Sequence, residues 1–195
     1  NYTSTANAAA VQPGYGVGVE VLSVEGNYAD ADVTTTAAAY LQDSDVTQVD
    51  KGALTVGTKG TIQANAAVES PQIKISGIEV AVSIAEAALS AVQKSYISGG
   101  SITTTGNVNV YSWQNKDLAS PGAHATLGGN GGSADISLVA AAVNRAAAKS
   151  EAVNYAYISG ANIGSAAERA GALAVEAAGN SIAQADLAAS LISAG

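Results

Sequence analysis

The chain has 195 residues; 48% are hydrophobic but only 5% aromatic, and alanine alone fills 43 positions. Charged residues make up 12%, the formal net charge is −8, and the eight lysines and arginines are scattered. We therefore expect no nucleic-acid partner and, because the apolar runs are short, no membrane insertion. The absence of cysteine excludes disulfides and thiolate metal sites.

Short segments in which β-branched residues alternate with small or polar residues recur along the chain. They include Val17 to Val21, Ile78 to Ile84, and Val108 to Val110. Alternation with a period of two predicts strands, and turns are predicted at Gly99-Gly100, Gly106-Asn107 and Gly179-Asn180. Residues 137–156 and 165–178 also fit a helix, because alanine is the best helix former. Their counterparts elsewhere alternate like strands, so we favour strands here too.

A degenerate repeat underlies this pattern. Three similar segments open at Tyr40, Tyr96 and Tyr157, which are 56 and 61 residues apart. Each continues with an aliphatic residue, a turn, a β-branched residue, a second turn and an alternating apolar pair. Residues 1–39 are then the end of a preceding unit, and residues 1–195 form a single repetitive segment.

A repeat of short strands with small inward side chains predicts an all-β solenoid, in which each strand stacks on its equivalent one coil later. With coils of about 20 residues, one repeat holds three coils, and the chain forms roughly nine coils over about 45 Å. The alternative is a β-sandwich with Greek-key connections, which fits the strand lengths but explains the repeated tyrosine segments less well.

The segments opening at Tyr96 and Tyr157 resemble repeats of the filamentous-haemagglutinin-like and leukotoxin-like filamentous adhesins and of related autotransporter passenger domains. The shared phrase is A-Y-I-x-x-G-x-x-I-x-x-x-G-x-V-x-V-x-A. The matching residues of the second segment are Tyr96, Gly100, Ile102, Gly106, Val108 and Val110. The third segment matches with an insertion at residues 166–170, and the first matches less tightly.

The resemblance implies a right-handed parallel β-helix, exported to the bacterial cell surface, that serves as a stalk or an adhesive surface. It implies no catalytic residues, so we predict neither an enzyme nor a required cofactor. The expected partners are neighbouring coils, copies of the same protein, and a host or neighbouring cell surface. Three alternatives stay open: a carbohydrate-active β-helix enzyme, a module that binds sugar, ice or cations, and a fibre subunit that stacks head to tail.

Two candidate sites follow from the alternation of side chains. Tyr111 and Trp113 share one face of an extended segment and are the best candidates for binding a carbohydrate or a protein, unless they cap a corner of the core. Asp43 and Asp45 also share a face and offer carboxylate oxygens of the kind that Ca²⁺ prefers, unless they are solvated turn residues. His124, the only histidine, is predicted to lie in a loop or at a strand edge.

Overall fold

The computed structural model describes residues 1–11, 17–47, 52–69, 73–128, 134–188 and 192–193. Every helix or strand element in these residues is a strand, which confirms the all-β prediction. The strands are β1 (Tyr2–Val11), β2 (Val17–Gln42), β3 (Asp45–Thr47), β4 (Leu54–Glu69), β5 (Ile73–Ser98), β6 (Ser101–Thr103), β7 (Val108–Gln114), β8 (Ala123–Leu127), β9 (Ala134–Ser159), β10 (Asn162–Ile163), β11 (Leu173–Gly179), β12 (Ala183–Leu187) and β13 (Ile192–Ser193). The described part has no helix with the length and apolarity needed to cross a membrane.

The strands form three sheets. Sheet A contains β1, β4, β7, β8, β11 and β12; sheet B contains β2, β5, β9 and β13; sheet C contains β3, β6 and β10. Each strand pair in the described ranges is parallel. The Greek-key sandwich is built from antiparallel strands, so this pairing contradicts that alternative.

Equivalent residues of successive repeats lie side by side in each sheet. In sheet B, Tyr40 pairs with Tyr96, and Tyr96 pairs with Tyr157. We call the strands of one repeat a layer: β1–β3 form the first layer, β4–β6 the second, β7–β10 the third and β11–β13 the fourth. The repeat deduced from the tyrosines is therefore the stacking unit of the molecule.

The predicted size of a coil is wrong. Strand partners are one whole repeat apart, 56 residues between β2 and β5 and 61 between β5 and β9, instead of about 20. The described strands therefore form four layers in place of roughly nine coils, and the first and last layers are partial. Because the length of the stack scales with the number of layers, the predicted length of about 45 Å is also too large. The reason is strand length, because β2, β5 and β9 each run for 26 residues without a break.

Small side chains fill the space between sheets A and B. In β4 the buried residues alternate with more exposed ones, and Ile62, Ala64 and Ala66 face inward against Ala87 and Leu89 of β5. A second apolar cluster joins all three sheets through Val56, Ile97, Ile102, Val108 and Val110. Because the alanine side chain is small, the facing sheets can approach each other closely. Each buried valine or leucine side chain contributes about 1.5–3 kcal/mol to the stability of the fold.

A band of polar side chains lies between the two apolar clusters. The Thr58 backbone N–H donates to Ser95 Oγ at 3.0 Å across the interior, and the Thr58 hydroxyl reaches Ser112 Oγ at 3.3 Å. Gln93 and Gln114 are fully buried beside them, and their amide atoms have no protein hydrogen-bond partner among the described residues. The interior is thus apolar at both ends and polar at the centre.

Sheet A is interrupted in the third layer, where residues 115–122 leave the sheet between β7 and β8. The side chain of Asn115 replaces the missing backbone partner of Ile62. Its Oδ1 accepts from the Ile62 N–H at 2.7 Å, and its Nδ2 donates to the Ile62 carbonyl at 2.9 Å. This amide therefore pairs both backbone groups of Ile62 at the point where the third layer leaves sheet A.

Candidate functional site

The aromatic pair of the sequence analysis lies on the outer face of sheet A. Val110 and Ser112 of β7 point inward and are buried, and the alternation turns Tyr111 and Trp113 outward. The two ring centroids are 4.3 Å apart with an interplanar angle of 29°. The expectation that both rings share a face is therefore met, while their role in ligand binding stays a prediction.

Gly57 of the neighbouring layer makes room for this pair. It is the register partner of Tyr111, and a Cβ atom at this position would collide with the phenol ring. The ring therefore lies flat over the backbone of β4. No local pattern in the sequence predicts this contact, because residues 57 and 111 become neighbours only through the pairing of layers.

Two lysines complete the cluster around Trp113. The Lys116 ammonium lies 3.9 Å from the ring centroid and the Lys59 ammonium 5.8 Å, both at cation–π range. Lys59 also pairs with Asp117 at 2.8 Å, and Lys116 pairs with Glu176 of β11 at 2.6 Å. The hydrogen bond from Lys59 lowers the pKa of Asp117 below its usual value.

These contacts hold the loop of residues 115–122 against sheet A. The indole of Trp113 already contacts a phenol ring and two ammonium groups, so a ligand would reach it mainly at its remaining edge. A flat sugar normally covers the face of an aromatic ring, and here Tyr111 and Lys116 compete for that contact. The contacts of Trp113 thus account for how the loop of residues 115–122 is held, and they leave little of the indole face open to a stacked sugar ring.

Asp43 and Asp45 lie at the turn that joins sheet B to sheet C. Asp45 Oδ1 accepts hydrogen bonds from the Ser101 backbone N–H at 2.9 Å and from the Ser101 hydroxyl at 2.7 Å. Asp43 adopts a positive φ of 46°, and its side chain packs against Gly99 of the next layer. In the described ranges no three potential metal-ligating side chains come together. The Ca²⁺ role of this pair stays a prediction, and the contacts observed join the first layer to the second.

His124 lies within β8, on the outer face of sheet A, and not in a loop. Its Nε2 is 2.8 Å from Asp186 Oδ2 in the fourth layer and 3.3 Å from the Thr126 hydroxyl. The hydrogen bond with His124, followed by those from Gln184, lowers the pKa of Asp186. The imidazole therefore links neighbouring strands of the sheet.

The outer face of sheet B carries a tyrosine ladder, formed by Tyr40, Tyr96 and Tyr157. The rings of Tyr40 and Tyr96 are 5.2 Å apart and inclined by 9°, and those of Tyr96 and Tyr157 are 5.0 Å apart and inclined by 1°. The sequence identified these residues as repeat markers. Their rings stack because each tyrosine is the register partner of the tyrosine in the neighbouring layer.

Charge on this outer face changes sign from one side of sheet B to the other. The first layer exposes Asp30 and Asp32, whereas the third exposes Arg145 and Lys149. Arg145 pairs with Glu86 of the second layer at 3.2 Å, and Lys149 pairs with its neighbour Glu151 at 2.8 Å. The sequence shows these charges as scattered, and only the pairing of layers arranges them into columns.

Comparison of the chain with protein-family models, curated proteins and solved structures finds no match. The resemblance to filamentous adhesins therefore depends on the repeat phrase alone.

Proposed function

We propose that the protein is a structural segment of an exported bacterial surface fibre, folded as a right-handed parallel β-helix that works as a stalk or an adhesive stretch without catalysis. The observation that supports this proposal most is that equivalent residues of successive repeats pair with one another. Equivalent residues of sheet B meet one repeat later over almost the full length of strands of 26 residues. Such a stack grows by adding layers, which suits an extended fibre.

Mechanical stiffness follows from the same pairing. Backbone hydrogen bonds in three sheets join the first three layers, and those in sheets A and B join the third layer to the described strands of the fourth, so a force along the stack is shared among many bonds. Side-chain contacts between layers, such as Asp45 with Ser101 and Lys116 with Glu176, add further links. Weak surface contacts repeated along such a rod add up through their effective concentration, which is how a long fibre adheres.

The alternative of a carbohydrate-cleaving enzyme fits the described carboxylates less well. Glycoside hydrolysis needs two carboxyl groups on opposite sides of one bond, about 5–10 Å apart. Asp45 accepts hydrogen bonds from Ser101, Asp117 pairs with Lys59, and Asp186 pairs with His124. These three carboxylates belong to separate contacts between or beside the strands, which is the arrangement expected of a structural protein.

Electron microscopy of the purified chain, combined with a depolymerisation assay, tests the proposal. We expect elongated rods or filaments and no cleavage of acidic or neutral polysaccharides. Compact particles, or polysaccharide cleavage that an Asp45→Asn or Asp186→Asn variant abolishes, would contradict it. Protease treatment of intact producing cells tests export separately, because a surface fibre is digested while the cells stay intact.

A further inference from the structure

The tyrosine ladder places three phenol rings on the outer face of sheet B, one in each of three successive layers. Tyr40, Tyr96 and Tyr157 are register partners. Their ring centroids are 5.2 and 5.0 Å apart, and the ring planes are inclined by only 9° and 1°. Tyr40 is 57% exposed and Tyr157 41%, so a dissolved reagent reaches the rings. The ladder is therefore a row of accessible phenols in contact with one another.

The backbone on both sides of the ladder fixes this spacing. Ser95 pairs with Ala156 just before the tyrosines, and Ile97 pairs with Ile158 just after them. Ile97 is 1% exposed and belongs to the apolar cluster that joins the three sheets. Partners on adjacent strands lie about 4.8 Å apart. The three rings therefore stay neighbours for as long as the layers are folded.

Other described tyrosines have different neighbours. Tyr111 stacks on the indole of Trp113. The Tyr28 hydroxyl donates a hydrogen bond to the carboxylate of Asp30 at 3.2 Å. Tyr155 has a lysine ammonium 5.8 Å from its ring centroid. In the described part of the chain, the two stacks of tyrosine on tyrosine are those of the ladder.

We propose that the ladder is a site of oxidative cross-linking, at which a haem peroxidase with hydrogen peroxide joins Tyr96 to Tyr40 or to Tyr157 through a carbon–carbon bond. Each phenol loses one electron and its hydroxyl proton, which leaves a radical with unpaired spin on the ring carbons ortho to the oxygen. Two radicals combine between ortho carbons, and the hydrogen on each joined carbon moves to the oxygen and restores the phenol. The two electrons and two protons reduce one hydrogen peroxide to two water molecules.

Stacking makes this coupling intramolecular. Because the rings are nearly parallel, their equivalent carbons lie about as far apart as the ring centroids. The rings lie on the open outer face, so rotation about the side-chain bonds brings two ortho carbons together while the strands stay paired. A phenol held beside its partner reacts at a much higher effective concentration than a phenol on another molecule.

The product would be a covalent link between layers. A link from Tyr40 to Tyr96 spans 56 residues of chain, and one from Tyr96 to Tyr157 spans 61. The chain has no cysteine, so disulfides cannot supply such a link. A cross-link constrains the unfolded chain and thereby stabilises the folded one. The inference depends on the layered architecture and needs neither export nor adhesion.

Peroxidase treatment of the dilute full-length chain tests the proposal. The monomer is isolated and examined by dityrosine fluorescence and by mass spectrometry of its proteolytic peptides. We expect linked peptide pairs that contain Tyr40 with Tyr96 or Tyr96 with Tyr157, each lighter by two hydrogen atoms than the separate peptides. Tyr96→Phe should remove both links, because the middle ring keeps its place in the stack but has no phenol oxygen. The linked parent chain should also unfold at a higher denaturant concentration than the untreated chain.

Tyr155→Phe is the matched control, since Tyr155 lies on the same strand and face as Tyr157 but outside the ladder. Its yield of dityrosine should equal that of the parent chain. Absence of an intramolecular link in the parent overturns the proposal. A parental yield from Tyr96→Phe, or an equal loss from both variants, overturns it as well.

An internal disulfide separates this outcome from failure of the layered architecture. Thr34 and Ser90 are outward-facing register partners on the same sheet. If a Thr34→Cys/Ser90→Cys chain forms its disulfide and the tyrosines do not couple, the layers stand and the cross-linking proposal fails. If neither link forms, both fail.

Discussion

Gly100 adopts a left-handed backbone conformation, φ 72°, in the turn between β5 and β6. A Cβ atom at this position would also collide with the backbone carbonyl of Ser44 in the neighbouring layer. We expect Gly100→Ala to lower the free energy of unfolding by about 1–3 kcal/mol, measured by chemical denaturation. Gly26→Ala is the control, since Gly26 lies in β2 with open space at its Cβ position. An equal loss from both variants would contradict this account of the turn.

Local residue types predicted some of these features and missed others. The glycine pair at residues 99–100 predicted the turn, and the alternation around Val110 predicted that Tyr111 and Trp113 share a face. The contact of Tyr111 with Gly57 and the link from Asp45 to Ser101 had no local signal. Both join residues about one repeat apart, so they depend on the register between layers.

β12 is held to β8 by a contact that depends on pH. The hydrogen bond with His124 lowers the pKa of Asp186 from its ordinary value of 3.8. A carboxyl group with a lowered pKa in the folded state contributes stability that is present above the ordinary value and lost as the pH falls through the lowered one. Asp186→Asn should therefore reduce stability near neutral pH, and its difference from the parent protein should vanish in strong acid.

Denaturant unfolding at several pH values measures this difference. Asp32→Asn is the control, because Asp32 forms no hydrogen bond or ion pair in the described part of the chain. A difference between Asp186→Asn and the parent protein that stays constant from neutral pH to strong acid would show that the contact with His124 does not stabilise β12.

Strands were predicted in the right places but too short. The alternating segments at Val17, Ile78 and Val108 all lie within strands, and β2 continues through Gly26 to Gln42. The alanine-rich residues 137–156, which also fit a helix, lie within β9. Alanine has the highest helix propensity, but packing of inward alanines such as Ala146 and Ala148 against neighbouring strands overrides it.

At the scale of the whole molecule, the sequence predicted the repeat but not how much chain one layer holds. The spacing of the three tyrosines gives the period directly, because these residues pair with one another. The prediction of three coils in each repeat assumed that the strands are short. The strands of sheet B run for 26 residues without a break, so each repeat forms one layer. The alignment of charged residues across sheet B, such as Asp32 and Lys149 in one column, depends on the amount of chain in one layer, so the sequence did not predict it.

The stacking period is tested most directly by an internal disulfide. Thr34 and Ser90 are outward-facing partners in adjacent layers, 56 residues apart, and neither contributes to the buried core. A Thr34→Cys/Ser90→Cys chain should form an intramolecular disulfide on mild oxidation, seen by mass spectrometry of the monomer. A Thr34→Cys/Leu54→Cys chain, at the spacing of a coil of about 20 residues, should not. Linkage of the second chain and not of the first would contradict the layered architecture.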